Sequence, residues 1–288
     1  MTFREKIRSG KFLITSEIAP PKGIDIQDLL RAIEFARGRV DAVNVTDLQS
    51  AVMRLGALAV AKSIKDKGIE PIFQITCRDR NRMSLQSELL SAAFFGIDNI
   101  LALTGDYPTS GDHPEAKPVY DLDSVTLLQA AHSLTLGKDM NGNSLKGTPA
   151  FCLGAVVNPG ADPIEPEIIK MEKKIEAGAQ FFQTQAVFDI GAFENFVSKV
   201  RHLNTTILAG VIVLKSAAMA RYLNRHVAGV TVPEEFIREM EGAADRVSVS
   251  VRIASDLIKG LKPISRGVHI MPIGWDDKLP LILDAAGI

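Results

Sequence analysis

A chain of 288 residues, 46% of them hydrophobic, is long enough to bury one large core, and closed α/β barrels run to roughly 250 residues. With 33 basic against 34 acidic side chains, the formal charge of -1 gives no electrostatic reason to expect nucleic acid or an anionic membrane as a partner. No stretch approaches the roughly 20 apolar residues of a membrane span, and the opening MTFREKIRSGKFLITSEIAPP lacks the apolar core and cleavage site of a secretory signal. The two cysteines, Cys77 and Cys152, fall inside apolar runs and read as packing residues. These features together predict a soluble, cytoplasmic protein.

Taken in chain order, short apolar runs rich in β-branched residues alternate with longer stretches whose apolar residues recur every three or four positions. The pattern predicts a strand over 12–18 and a helix over 25–37, a strand over 42–46 and a helix over 51–67, then 71–76 with 84–95 and 99–103 with 124–136. The second half repeats it: a strand over 151–157 with a helix over 165–177, 181–185 with 190–203, 206–213, and 267–273 with 275–286. Helices are expected over 216–224, 233–241 and 244–259, so the unit before the last strand carries an insertion. The polar, Gly/Asn-rich KDMNGNSLKGT at 138–148 reads as a turn leading into the fifth strand.

Eight regularly spaced βα units favour a closed (β/α)8 TIM barrel over an open doubly wound sheet. Neither G-x-G-x-x-G after the first strand nor G-x-x-x-x-G-K-[ST] occurs, so no nucleotide fingerprint supports the open sheet. The expected organisation is one barrel domain over residues 1–288.

In such a barrel the active site lies at the C-terminal ends of the strands. Glu17 interrupts an apolar run just before Pro20 and Pro21; Thr46 and Asp47 end the second run; Gln74 and Thr76 lie in the third. Asp106 follows the fourth, Asn158 the fifth, and Gln185 ends the sixth. A carboxyl group in an apolar mouth can stay protonated near neutrality and serve as a general acid; from the residue alone, a salt-bridged structural glutamate is an equal reading of Glu17. Asp106, beside Gly105, could meet a ligand or cap a turn. Gln185 could offer a donor and an acceptor to a planar heterocycle or satisfy loop backbone. His113, His132, His202, His226 and His269 form no metal-binding spacing, and hydrolytic nucleophile motifs are absent. Carboxylates and amides remain, a set suited to proton transfer around a cofactor that supplies the harder chemistry.

The motifs SEIAPP (Glu17), AVNVTD (Thr46), ITC (75–77), LALTGDYP (Asp106), KKIEAGAQFFQTQAVFD (Lys174, Gln185) and VPEE (232–235) appear in that order on successive units. In them the chain resembles the methylenetetrahydrofolate reductase family from about residue 12 to the C-terminus. The resemblance implies a flavin-containing (β/α)8 barrel, with FAD as the usual cofactor and FMN left open, that reduces 5,10-methylenetetrahydrofolate to 5-methyltetrahydrofolate. It assigns Glu17 as the general acid that assists opening of the methylene bridge. Asp106 becomes the aspartate that meets the pterin and tunes the flavin, and Gln185 a substrate contact. A flavin site is implied at Thr46, Gln74, Thr104, Gly105, Asp106, Tyr120, Asp123, Asn158, Asp162, Glu167 and Lys174.

Departures bear on the electron donor. Gln74 replaces a histidine of many relatives, Asn158 and Asp162 replace a tyrosine and a histidine near the flavin, and Ala217 stands where familiar bacterial members have an aromatic residue. Trp275 lies near the position of their substrate-binding arginine. Losing the ring at Ala217 weakens stacking with a nicotinamide, so the expected donor is NAD(P)H or an iron-sulfur partner subunit. A pterin-dependent transferase and a non-catalytic partner subunit are the competing readings. Oligomeric state is left open.

Overall fold

The computed structural model describes all 288 residues. A short helix, α1 (Phe3–Ser9), precedes β1 (Leu13–Ile18); α2 (Gln27–Ala36), β2 (Ala42–Val45), α3 (Ala57–Asp66), β3 (Pro71–Thr76), α4 (Arg82–Phe94), β4 (Asn99–Leu103) and α5 (Ser124–Thr135) complete the first half. The second half runs β5 (Cys152–Val157), α6 (Glu165–Glu176), β6 (Phe181–Ala186), α7 (Ile190–Val200), β7 (Thr206–Ile212), α8 (Ala217–His226), α9 (Glu234–Gly242), α10 (Arg246–Leu261), β8 (Gly267–Met271) and α11 (Leu279–Ala286). The strands pair in parallel in chain order, and β8 closes on β1 with Thr15 opposite His269. The fold is the expected (β/α)8 barrel, with helices α8 to α10 forming the insertion before β8.

Two local expectations need correction. The helix expected from residue 51 begins at Ala57, because the preceding segment spends its backbone bonds on other loops: Met53 N–H donates to Asp112 and Leu55 N–H to the Pro21 carbonyl. Leu48, Ser50 and Ala51 there adopt positive φ values of 47°, 55° and 57°, conformations L-residues rarely take outside tight turns. Helix α1 was not anticipated, being too short for a periodic signal; it forms on a capping box between Thr2 and Glu5. Its Phe3 is fully buried and packs edge-on against Phe181 with ring centroids 5.4 Å apart, plugging the N-terminal end of the barrel.

Side chains alternate across each strand, so the barrel interior fills in layers. Leu13, Ala42, Ile72, Leu101, Cys152, Phe181 and Leu208 form a small apolar cluster with Phe3 at the bottom. One step up, the interior turns polar with Thr15, Asn44, Gln183 and His269, all buried. Above these lie Glu17, Thr46, Gln74 and Gln185. The main core of 65 buried residues packs strands against the outer helices. Burial pushes the Cys77 thiol up to about 12 and the Cys152 thiol to about 11, so neither is a ready nucleophile.

Candidate active site

The polar upper layer opens into a cavity of about 410 Å³ at the C-terminal ends of the strands. Twelve residues singled out in the sequence line it: Glu17, Thr46, Asp47, Gln74, Thr76, Thr104, Gly105, Asp106, Asn158, Glu167, Lys174 and Gln185. Tyr120, Asp123 and Asp162 stand outside its walls. A larger hollow of about 600 Å³ lies at the opposite end, between α7 and the segment around Pro263 to Arg266. Size favours that hollow; convergence of titratable and amide groups, the stronger mark of a reactive site, favours the mouth.

On the β1 and β8 side, Glu17 is largely buried and its Oε2 lies 3.6 Å from Nε2 of His269. His269 Nδ1 lies 3.0 Å from Thr15 Oγ1 and 3.3 Å from Gln183 Nε2. Gln183 in turn donates to Thr15 Oγ1 at 3.2 Å and exchanges two amide hydrogen bonds with Asn44, at 2.7 and 3.0 Å. The loop after β1 is fastened to the loop after β2, where Arg54 donates to the Pro20 carbonyl at 3.1 Å.

The β2 to β4 wall is built on two ion pairs, each with one fully buried member, Asp47 in the first and Arg78 in the second. Asp47 accepts from the Thr76 amide and hydroxyl, both at 2.9 Å, and from Arg80 at 2.7 and 3.2 Å. Arg78 pairs with Asp79 and also donates to the carbonyls of Asp106, at 3.2 Å, and Leu48, at 3.3 Å. One guanidinium thus ties the loops after β2 and β4 together. Gly105 has φ +95°, and a Cβ there would come within 3.1 Å of Arg78 Cβ and 3.2 Å of Thr76 Cβ, so the loop can lie this close only as glycine. The Tyr120 hydroxyl donates to the carbonyls of Gly105 and Asp106 and shapes this turn from behind. Asp123 caps α5, accepting from the Thr126 amide at 2.8 Å. Burial works to raise the Asp123 carboxyl, but the hydrogen bonds from Thr126 prevail and hold it low. The Asp106 carboxylate is exposed to the mouth and makes no hydrogen bond within the protein.

Lys174, on the inner face of α6, is only 2% exposed. Its ammonium donates to the Val156 carbonyl at 2.6 Å and has no carboxylate in salt-bridge contact. Desolvation, followed by repulsion from Lys170, lowers its pKa to about 8, although Glu167 and Asp123 oppose the shift. A buried ammonium with a single carbonyl acceptor in a cavity wall has donors to spare and is costly to leave without a counter-charge.

The structure adds three functional candidates that reading by strand ends missed: His269, Gln183 and Asn44. Each carried a signal, a polar residue two positions before the mouth end of an apolar strand, as in GVHIM, FFQTQ and AVNVTD.

A closed barrel with carboxylates, amides and a buried cation converging on its mouth defines the class: a (β/α)8 barrel with a polar candidate site at the C-terminal ends of its strands. The profile of the family described as Methylenetetrahydrofolate reductase matches residues 2–287, and the chain belongs to that family. It is 25% identical to methylenetetrahydrofolate reductase 2 of Schizosaccharomyces pombe, covering 99% of this chain and 47% of that protein. It is also 25% identical to the 5,10-methylenetetrahydrofolate reductase of Escherichia coli, covering 87% and 82% respectively. The chain therefore spans about half the length of the fission yeast relative. Among solved structures, a Clostridium thermocellum protein that binds two copies of 5-methyl-5,6,7,8-tetrahydrofolic acid shares the fold with a TM-score of 0.66 at 18% identity over 99% of both chains. A 2,3-dimethylmalate lyase shares it with a TM-score of 0.54 at 12% identity.

Proposed function

We propose that this chain is a flavin-dependent reductase that converts 5,10-methylenetetrahydrofolate to 5-methyltetrahydrofolate in the cavity at the barrel mouth. The observation that carries the reading is the placement of Glu17 in the wall of a cavity shared with Asp106, Gln185 and the buried Lys174. Family membership supports the reaction class, and the residues fit it.

The donor set also suits a flavin nucleotide. Lys174 lacks an anionic partner and would take a phosphate or an anionic ring edge, and Gln74 and Thr104 offer polar groups to a heterocycle. Gly105 lets backbone approach a ring closely. When bound, the flavin supplies the hydride.

The chain's own part is proton handling and orientation. Glu17 donates a proton to the nitrogen that leaves the one-carbon bridge, which makes the bridging carbon electrophilic. Gln185 and Asp106 hold the pterin edge. The electron source is NAD(P)H or an iron-sulfur partner subunit, and this chain offers neither an aromatic ring at Ala217 nor a guanidinium at Trp275. The Trp275 ring instead lies under the Lys215 ammonium, 5.9 Å from its centroid.

Identifying the chromophore released from purified protein tests the proposal: FAD or FMN is expected, with reoxidation of the reduced flavin by methylenetetrahydrofolate. A colourless protein that takes up neither flavin would overturn it. Rapid mixing with NADH then separates the donors, since slow bleaching by NADH alone is expected if a partner subunit is required.

A further inference from the structure

We infer that Gln49, in the loop after β2, is a recognition residue of the mouth: its side-chain amide pairs with a lactam edge, an N–H beside a C=O, which flavin and pterin rings both carry. The inference rests on the proposed function and adds to it a residue that is held in place by the backbone of a loop rather than by a strand.

The loop is strained at three of four consecutive residues. Leu48, Ser50 and Ala51 have φ values of 47°, 55° and 57°, a region in which Cβ crowds the neighbouring backbone. Such conformations persist only where the surrounding structure over-determines them, and they cluster where a protein meets its ligands. Contacts from outside the loop supply that constraint. Arg78 donates to the Leu48 carbonyl at 3.3 Å, the Met53 amide donates to the Asp112 carboxylate at 2.9 Å, and the Leu55 amide donates to the Pro21 carbonyl at 2.9 Å. The loop after β4 presses on the same turn at Gly111, where a Cβ would lie 1.9 Å from the Ala51 carbonyl oxygen.

Four residues of this segment line the cavity: Thr46, Asp47, Leu48 and Gln49. Three of them already have a task. The Thr46 hydroxyl donates to the Ile18 carbonyl, Asp47 is taken up by Thr76 and Arg80, and Leu48 carries an apolar side chain and a carbonyl held by Arg78. Gln49 is half-buried, and its side chain keeps a donor and an acceptor without a hydrogen bond to the protein. An amide holds NH2 and C=O in one plane, the complement of a lactam, so the two edges can form a pair of parallel hydrogen bonds. A hydroxyl satisfies one of those groups at a time, and a carboxylate would repel the ring carbonyl. Because the loop is fixed beforehand, little ordering is left to do when the ring arrives.

The test measures dissociation constants for two ligand pairs on the purified protein: FAD with its N3-methylated counterpart, and 5-methyltetrahydrofolate with its N3-methylated counterpart. Methylation at N3 removes the lactam N–H of either ring. Wild type is expected to favour the unmethylated member of one pair by about tenfold, the worth of one hydrogen bond, and that pair identifies the ring Gln49 reads. Gln49→Ala should bind both members of that pair alike. Gly111→Ala touches no ligand but displaces Ala51, so it should reproduce the loss, and the double variant should bind no more weakly than either single one. If Gly111→Ala does not fold, Gln49→Ala decides alone. A wild type without preference in either pair, or a preference that survives Gln49→Ala, overturns the inference while leaving a working reductase. A protein that binds neither ring would refute the proposed function and this inference with it.

Discussion

The two sides of the mouth are built on opposite principles. On the β1–β8 side the functional groups are wired to one another: Glu17 meets His269, His269 meets Thr15 and Gln183, and Gln183 meets Asn44. Across the cavity, Asp106 has no side-chain partner and Lys174 has one carbonyl. A wired group has its geometry set before any ligand arrives, as proton transfer requires. A group left short of partners keeps its capacity for the ligand, at a cost in stability to the ligand-free protein. Under the proposed function, chemistry would fall to the first side and binding to the second, so substitutions on the two sides should fail differently.

The largest expected effect is on the wired side. Glu17→Gln should lower folate reduction by about 10² to 10⁴-fold, the usual worth of a general acid, while flavin affinity and flavin reduction stay near wild type. Comparing folate turnover with flavin titration checks this, and equal losses in both would erase the division between the two sides.

Lys174→Met probes the binding side and should weaken flavin binding about 10 to 100-fold, the range for one charge-assisted hydrogen bond. It should also make the ligand-free protein more stable, because a desolvated ammonium is removed. The pH dependence has a definite sign. With the folded pKa lowered from 10.5 to about 8, the unfolded chain binds more protons between those values, so stability of the ligand-free protein rises across that window by up to about 3 kcal/mol. Flavin affinity should fall over the same range as Lys174 loses its charge. Thermal melts with and without flavin from pH 7 to 10 read both trends, and parallel curves would mean that Lys174 never meets the ligand.

The division also explains what could be read from the sequence. Period-2 and period-3.6 patterns are local, so eight strands and the barrel were legible, as were mouth residues such as Glu17 and Gln185 that end apolar runs. The wiring was not, because Thr15, Asn44, Gln183 and His269 come from four strands and meet only once the sheet closes. The β2 loop was misread as helix because Val52 and Leu55 continue an apolar spacing, while the bonds that unwind the segment come from Pro21 and Asp112 elsewhere in the chain.

Between these extremes stands Arg78, which touches both loops of the binding side without itself waiting for a ligand. Arg78→Met removes donors from the Leu48 and Asp106 carbonyls and the partner of Asp79, and should cost about 2 kcal/mol, or roughly 5 °C in melting temperature. Because it anchors the turn carrying Asp106, the variant should raise KM for folate more than it lowers kcat. A pure kcat loss would move Arg78 to the catalytic side of the division.

The smallest effect is expected at Asp123, and it decides how far the binding side extends. Family resemblance puts this carboxylate in the flavin site; the structure gives it to the first turn of α5, where it accepts from the Thr126 amide and hydroxyl, both at 2.8 Å. Asp123→Ala should cost about 1 kcal/mol, the usual worth of an N-cap, and Asp123→Ser should recover most of it, since a hydroxyl caps nearly as well. If capping is all Asp123 does, flavin affinity in both variants stays at the wild-type value. If the carboxylate also reaches the ligand, the serine variant regains stability but not affinity. Melting temperature and flavin titration on this one pair of variants therefore separate a residue that builds the wall from one that belongs to the site.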